Sequence, residues 1–317
     1  MKPQKITLPL DLDEQVILMK KYVSFDDETA IRRRLAYTGF FRLRRYGMFL
    51  LSKCGCIGKK PTERMLYDLY DFDEKLRFIL FAYCKKAEIQ LKTYMTVGLS
   101  NRVGSHLFYL NEASYTSTKG NNDKISRQKN QRLFEGFLKD VRNNEKRIRT
   151  DTARYPEIKE MRPRGKGEND LLPAEVYFYY IDLGDICPIY SYLRGDLRKE
   201  VLRYGYTRRH YGKETTKQFD TWLEATRNLR NFCAHHLMLA GKNSCVILPE
   251  FGEDYLVSSK TDLFSRLYAL KKILPKHFSD ALKQDLQRLV GNADIDVFGL
   301  GILPRDWEER FDKIKVL

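Results

Sequence analysis

Residues 75–99 of the chain, KLRFILFAYCKKAEIQLKTYMTVGL, decide its fold. One face of a helix over this stretch collects Leu76, Leu80, Tyr83, Ala87, Leu91 and Tyr94, which recur at intervals of three or four residues. The other apolar residues fall on the remaining faces, which predicts a long central helix that is buried on more than one side. Glu88 lies within this helix, where a buried carboxylate requires a cationic partner.

Helical patterns also flank this stretch on both sides. Upstream, a capping pair at Ser24 and Asp27 predicts the start of a helix. Downstream, a helix is predicted from about Thr216 to Leu239. The aromatic run at 177–180 fits the start of a buried helix or a short strand. Because helical periodicity dominates, we predict an all-α protein.

The chain divides into three predicted parts. A helical core is expected over 61–240, with a basic helical segment at 1–60 and a helical segment at 241–317. Within the core, residues 116–170 are polar and rich in turn-forming residues. We predict that they form a mobile basic insertion.

Length and composition narrow the class of protein. The 317 residues are 43% hydrophobic and 13% aromatic, which is enough to bury a sizeable core. The six cysteines lack the paired spacing of a disulfide framework or a zinc site. The N-terminus lacks the apolar core of a signal peptide, and no segment has the roughly 18 apolar residues that a membrane helix needs. We expect a cytoplasmic protein without a metal, a cofactor or a membrane partner.

The formal net charge of +15 is concentrated in two places. Residues 31–62 contain nine lysines and arginines and no acidic residue, and residues 119–168 contain fifteen against eight. Such an excess is typical of a surface that binds a polyanion, and two solvated basic faces are the alternative. Nucleic acid is favoured over a membrane, because residues 31–50 show no clean amphipathic stripe. The candidate RNA-binding residues are Arg32, Arg33, Arg34, Arg42, Arg44 and Arg45.

The segment Arg230-Asn231-Phe232-Cys233-Ala234-His235-His236 carries the residues best suited to chemistry. Arg230 projects close to the apolar stripe of its helix and needs a partner, for which Glu88 is the candidate. Asn231 and His235 share a helix face, whereas His235 lies about 140° around the helix from Arg230. A second chain or a bent helix would therefore complete a site.

Other roles for these residues stay open at this point. His235 could be a satisfied polar residue on a core helix, and His236 could be a second site group or a helix-end histidine. Cys233 and His236 have the spacing of half a zinc site, but the sequence contains no second half and Cys233 falls on the apolar stripe. The remaining histidines, in unrelated surroundings, are His106, His210 and His277.

The spacing Arg230-Asn231-x3-His235 resembles the Arg-x4-His signature of HEPN-type ribonucleases. The string LRNFCAHH at 229–236 resembles the same part of Abi-like abortive-infection proteins of the AbiD and AbiF type, which are bacterial anti-phage factors. Three more segments are similar to that family in the same order: AYTGFFRLRRYGMFL at 36–50, LYDFDEKLRFILFAYCKKAEIQLKTYM at 69–95 and VFGLGILPRDW at 297–307. Family members commonly continue after His-His towards Arg-Leu-Trp-Asn, whereas this chain has LMLA at 237–240, which suggests a divergent partner surface.

The resemblance implies a HEPN-like helical bundle with metal-independent endoribonuclease activity, in which two such motifs meet across a homodimer. It implies His235 as general acid or base, Arg230 as phosphate binder, Asn231 as the residue that orients His235, and His236 as an additional site residue. The chemistry suits these residue types. RNA supplies its own nucleophile, an imidazole with an ordinary pKa of about 6.5 exchanges protons near neutral pH, and a guanidinium stabilises charge on phosphorus. Such an enzyme would act as a toxin in anti-phage defence.

Two further functions remain as alternatives. A non-catalytic protein could hold a structured non-coding RNA on its basic segments, and relatives of the AbiF type are associated with such RNAs. A partner subunit controlled by a nucleotide-modifying enzyme would carry a modified tyrosine or co-purify with a second protein.

Overall fold

The computed structural model describes residues 10–54, 60–117, 124–161, 170–206, 212–241 and 247–317. Within these ranges the regular structure is helical, and the only β-type pairing consists of two isolated bridges, Ser24 with Thr62 and Tyr115 with Leu193. The all-α prediction is confirmed. The helices are α1 (Leu12–Met19), α2 (Glu28–Thr38), α3 (Phe40–Cys54), α4 (Glu63–Val103), α5 (Lys124–Thr150), α6 (Ile158–Met161), α7 (Ala174–Tyr180), α8 (Leu183–Tyr192), α9 (Gly195–Gly205), α10 (Lys213–Ala234), α11 (Leu263–Ile273), α12 (Lys276–Gly291) and α13 (Trp307–Lys313). Short 3₁₀ turns lie at Phe108–Leu110, Glu112–Ser114 and Asp254–Leu256.

The predicted central helix is confirmed as α4, which is 41 residues long. It begins after Thr62, whose side-chain oxygen accepts the Met65 N–H at 3.4 Å, and it ends at Gly104, a left-handed C-cap with φ of 70°. It packs against α3, α7, α9, α10, α11 and α12. Contact on so many sides explains why its apolar residues do not form a single stripe.

The second organising helix is α10, which packs against α4, α8, α9 and α11. Trp222 at its centre is buried, and the indole N–H donates to the carbonyl oxygen of Phe251 at 3.1 Å. The helices of 247–317 therefore share the core of the preceding helices, since α11 and α12 lie directly on α10 and α4.

The predicted basic insertion contains a long helix, where the sequence indicated only a short charged helical stretch. Residues 124–150 form α5, which packs against α7 and α8. Its buried apolar residues are Phe134, Phe137, Leu138, Val141 and Ile148. These residues form a narrow helical stripe that the polar composition conceals. Residues 118–123 and 162–169 of the predicted insertion lie outside the described residues.

The N-terminal prediction needs one correction. Asp27 rather than Ser24 caps α2, because its carboxylate accepts the N–H groups of Thr29 and Ala30 at 2.8 and 3.2 Å. A second helix, α3, follows directly after Gly39, whose φ is 86°. The aromatic run at 177–180 belongs to helix α7, as one of the two interpretations had it.

Candidate functional site

The predicted chemical segment lies at the C-terminal end of α10. Arg230 and Asn231 occupy the end of the helix, which finishes at Ala234, and His235 is its C-cap residue. The prediction of a helix that continues to Leu239 is wrong, because the chain reverses immediately after the C-cap. In the Arg-x4-His motif, the arginine thus lies within the helix and the histidine is its C-cap residue.

His236 makes this reversal. Its φ is 54°, and among the described residues no other non-glycine residue has a positive φ. The His236 N–H donates to the carbonyl of Cys233 at 3.1 Å, and the Leu237 N–H donates to that of Phe232 at 2.9 Å. These bonds form a Schellman motif, whose left-handed position is usually glycine. A side chain there costs about 1–2 kcal/mol, and such strain tends to cluster at functional sites.

Both imidazoles face solvent. The side chains of His235 and His236 are exposed and form no hydrogen bond or ion pair with the described part of the chain. The side-chain oxygen of Asn231 accepts from Arg230 Nη1 at 3.1 Å rather than from His235, whose backbone N–H donates to the Asn231 carbonyl at 3.0 Å. Both rings are therefore accessible to a ligand.

Arg230 joins three helices at this end of the molecule. Its side chain is 18% exposed, with Nη2 at 3.4 Å from Asp182 Oδ2 and Nε at 3.9 Å from Glu88 Oε2. Asp182 is the N-cap residue of α8, and Glu88 lies in the middle of α4. The structure thus brings the predicted pair Glu88 and Arg230 together. Both distances are long for a charge-assisted hydrogen bond, so Arg230 is loosely held.

Glu88 also attracts two lysines of its own helix. Its side chain is 1% exposed, and Oε1 lies 2.9 Å from Lys85 Nζ and 3.1 Å from Lys92 Nζ. Glu88 Oε2 and Arg230 Nε are buried without a hydrogen-bond partner. Three cations thus surround one buried carboxylate, and the half-exposed Asp182 is the other acidic group paired with them. With three cations and two carboxylates, the cluster keeps a net positive charge where Arg230 leaves the end of α10, as an anion site requires.

A buried polar network holds the chain that follows the histidines. Asp73 of α4 is fully buried, and its Oδ1 accepts the N–H groups of Leu239 and Ala240 at 3.0 and 2.7 Å. Its Oδ2 accepts the Tyr46 hydroxyl at 2.6 Å and pairs with Arg77, which itself donates to the Tyr46 oxygen at 2.8 Å. This network fastens the segment after His236 to α3 and α4. No role was predicted for Asp73, Arg77 or Tyr46, although the Asp-x-x-Leu-Arg string at 73–77 lies in a segment that is similar to the Abi-like family.

The structure divides the six candidate RNA-binding arginines into two groups. Arg32 pairs with Asp13, and Arg44 Nε donates to the Tyr22 hydroxyl at 2.8 Å. Arg34 pairs with Asp71 and lies over the rings of Tyr67 and Tyr70. The three exposed members, for which the described ranges show no hydrogen bond or ion pair, are Arg33, Arg42 and Arg45. Only this second group is available to a ligand without breaking a contact in the protein.

A second basic surface runs along α5. Its exposed lysines and arginines are Arg127, Lys129, Arg132, Lys139, Arg142, Lys146 and Arg147. Arg149 is different, because it pairs with the buried Glu145 and with Asp170, each at 2.9 Å. Some of the charge predicted for 119–168 is therefore structural and the rest is presented to solvent.

Three of the described cysteines, Cys84, Cys187 and Cys233, are buried. Cys233 is buried on the apolar side of α10, and burial raises the pKa of its thiol to about 12. Burial also raises the pKa of the Cys84 thiol well above its ordinary value. Within the described ranges no cluster of three or more His, Cys, Asp or Glu side chains is arranged to hold a metal ion, and no helix is long and apolar enough to cross a membrane. His106 pairs with Glu175, while His210, Cys56 and Cys245 fall outside those ranges.

Comparison with known proteins places this arrangement in a family. No curated protein and no solved structure matches the sequence significantly. The sequence model of the Abi-like proteins matches residues 33–240, roughly two thirds of the chain. That range includes Asp73, Arg77, Glu88 and the whole segment from Arg230 to His236. The chain therefore belongs to the Abi-like protein family.

Proposed function

We propose that this protein is a metal-independent endoribonuclease that cleaves RNA through the 2′-hydroxyl group, with Arg230 and His235 as its reacting pair. One observation carries the proposal. An exposed imidazole at the end of α10 lies about one and a half helical turns from a loosely held arginine in a cluster with excess positive charge. Proton exchange and phosphate binding are the two tasks that this cleavage requires.

The reaction needs a base, an acid, a cation that binds the phosphate, and the RNA itself. The 2′-oxygen attacks the neighbouring phosphorus while a base takes the hydroxyl proton, and the bond from phosphorus to the 5′-oxygen breaks as an acid protonates that oxygen. The products are a 2′,3′-cyclic phosphate and a 5′-hydroxyl. The guanidinium of Arg230 stabilises the charge on the non-bridging oxygens in the transition state.

Two proton-transfer groups are required, and we propose that a homodimer supplies them. Phe78 and Ile89 of α4 are 65% and 59% exposed. They are eleven residues apart, which is close to three helical turns, so they lie on one face of α4 beside Glu88. We propose that a second copy packs on this face, which also carries Lys85, and supplies a second His235 to the first cluster. His236 is the alternative second group within one chain.

We further propose that the cleavage serves abortive infection, which is the process after which the family is named. Destruction of RNA would arrest an infected cell before progeny phage emerge. Expression of the active protein in a bacterial host should then halt growth, and the His235→Ala form should not.

The test uses purified protein and a labelled single-stranded RNA. His235→Ala and Arg230→Ala should each lower the cleavage rate by at least about 100-fold. Excess EDTA should leave the rate unchanged, and a deoxyribose at the target nucleotide should block cleavage there. Normal cleavage by the His235→Ala protein would refute the catalytic assignment.

Two control variants match these substitutions. His277→Ala removes another exposed imidazole, and Arg227→Ala removes a half-buried arginine one turn earlier on α10 that pairs with Glu224. Both should retain activity. The Arg230→Ala protein should fold, because Glu88 keeps its pairs with Lys85 and Lys92.

A second candidate is a non-catalytic protein that holds a structured RNA. The exposed basic face of α5 favours it, since seven lysines and arginines line one helix without a catalytic group among them. Tight binding of one folded RNA that persists at high salt, without turnover, would support this function over cleavage.

A further inference from the structure

The corner between α2 and α3 combines exposed aromatic rings with free arginines. We call it the corner patch, and it consists of Tyr37, Phe41, Arg42, Arg45 and Met48. Tyr37 is 91% exposed, Phe41 49% and Met48 45%, and both arginines are exposed as well. Single exposed apolar residues are ordinary, but three large ones beside two cations indicate a binding surface.

The backbone explains how the patch forms. Gly39 has a φ of 86° and ends α2, so that α3 begins at the next residue, Phe40. Phe41, Arg45 and Met48 then follow at intervals of four and three residues and share one face of α3. The buried ring of Phe40 meets the Phe41 ring edge to face with centroids 5.5 Å apart, which holds the direction of Phe41.

The charge of the patch is uncompensated. Arg42 and Arg45 form no hydrogen bond or ion pair within the described ranges, unlike Arg32, Arg34 and Arg44. In sequence, no acidic residue occurs between Glu28 and Glu63. Glu28 begins α2, nine residues or roughly 13 Å of helix before Tyr37. A polyanion is therefore the complementary ligand.

We propose that the corner patch binds unpaired nucleotides of single-stranded RNA, with the rings of Tyr37 and Phe41 stacked on bases and Arg42 and Arg45 on phosphates. The inference rests on the RNA substrate of the proposed function and names its form. Aromatic rings stack on bases only when those bases are splayed from a duplex, and the deep major groove of an RNA helix is too narrow for side chains. A purely electrostatic site would have no use for the exposed rings.

The patch lies close to the segment that follows the histidines. The Phe49 ring of α3 packs on the backbone of Gly241, where a β-carbon would lie 2.0 Å from the Phe49 ring and could not be accommodated. Arg45 lies one helical turn before Phe49 on the same face. An RNA strand held at the patch is thus near the chain that carries His235 and His236.

An anionic membrane is the competing ligand for a basic aromatic surface. The apolar face of α3 is occupied by the protein core, where Phe40, Leu43 and Leu50 are buried. Only Phe41 and Met48, each about half exposed, could enter lipid from this helix. That area is small for an interfacial anchor, which needs a broad apolar face.

The experiment measures binding of a fluorescent twelve-nucleotide oligouridylate to the full chain carrying His235→Ala, so that cleavage does not interfere. Tyr37→Ala with Phe41→Ala should weaken binding by about tenfold or more, with the salt dependence unchanged. Arg42→Ala with Arg45→Ala should weaken binding and lower the slope of log K against log salt by about 1.4. The affinity for a blunt RNA duplex should be the same for the Tyr37→Ala, Phe41→Ala protein as for the parent.

The matched control is Tyr179→Ala with Tyr255→Ala. It removes two rings outside the corner patch that are 72% and 78% exposed, and it should leave the affinity for the oligouridylate unchanged. Replacement of Tyr37 and Phe41 by tryptophan should keep the affinity. Three results would each overturn the proposal. The Tyr37→Ala, Phe41→Ala protein could bind the oligouridylate as tightly as the parent, or it could lose the same affinity for single-stranded RNA and for the duplex. The patch could also be required for binding to phosphatidylserine vesicles and not for binding to RNA. Failure of the nuclease assignment would instead show as undiminished cleavage by the His235→Ala protein.

Discussion

The buried network around Asp73 allows a quantitative prediction for Asp73→Asn. The carboxylate accepts the N–H groups of Leu239 and Ala240 on one oxygen, and the Tyr46 hydroxyl and Arg77 on the other. An asparagine can keep the first oxygen, but its NH₂ group then faces the guanidinium of Arg77, whose side chain is 4% exposed. The variant therefore contains a buried cation without a counter-charge.

Loss of one partner of a buried ion pair destabilises a protein by about 3–5 kcal/mol. A chain of 317 residues has an unfolding entropy of roughly 0.7 kcal/mol per kelvin. The expected fall in Tm for Asp73→Asn is thus about 6 °C. Tyr46→Phe removes one hydroxyl while Asp73 keeps three donors, so its expected effect is about 1 kcal/mol, or less than 2 °C.

A double-mutant cycle distinguishes destabilisation by the loss of the ion pair from destabilisation by a general loss of packing. Arg77→Met removes the unpaired charge, so the combination Asp73→Asn with Arg77→Met should be more stable than Asp73→Asn alone, with a coupling energy of about 2–3 kcal/mol. Thermal unfolding followed by circular dichroism measures all four proteins. If Asp73→Asn lowered Tm by less than 2 °C, or if the effects of the two substitutions were additive in the double variant, the inference that the ion pair holds this segment would be refuted.

Three further substitutions test other parts of the structure. His236→Gly removes a side chain from a left-handed backbone position and should raise the free energy of unfolding by up to about 1 kcal/mol in urea titrations. A decrease would contradict the claim that this position is strained. Glu88→Gln leaves Lys85, Lys92 and Arg230 without their buried carboxylate, so inorganic phosphate should raise Tm more in the variant than in the parent at matched ionic strength. Burial lowers the pKa of Lys271 below its ordinary value of 10.5, so the unfolded state binds this proton more tightly than the folded state does. The Tm of the parent relative to that of Lys271→Met should therefore rise as the pH rises towards 10.5, and a constant difference would contradict that cause.

Residues whose environment follows from local spacing were predicted well. The apolar pattern of 75–99 identified α4, because a helix buried on several sides still shows its period in sequence. The pairing of Glu88 with Arg230 followed from the rule that buried charges need partners. The pairs of Glu88 with Lys85 and Lys92 were not predicted, although helix geometry brings residues three and four positions away onto the same side.

Residues whose environment depends on tertiary packing were not predicted. The stripe of α5 has only a few apolar residues per turn, and its many charges resemble a polar insertion until α7 and α8 cover Phe134 and Phe137. The end of α10 had no glycine to mark it, because His236 takes the left-handed position instead. Sequence spacing alone could not place His235 at a helix end, and that placement decides its exposure.

The departure of this chain from its family after the two histidines has a structural interpretation. The residues at 237–240 were expected to alter a partner surface, but Met238, Leu239 and Ala240 are buried. The backbone N–H groups of Leu239 and Ala240, not their side chains, carry the bonds to Asp73, so the anchoring of the segment does not depend on side-chain identity. A change to apolar residues is therefore compatible with an unchanged path of the chain, and Asp73 rather than the sequence of 237–240 is the feature that this path requires. Replacement of Leu239 by a polar residue should lower stability by burying an unpaired group, while replacement by another apolar residue of similar volume should leave both stability and the position of His235 nearly unchanged.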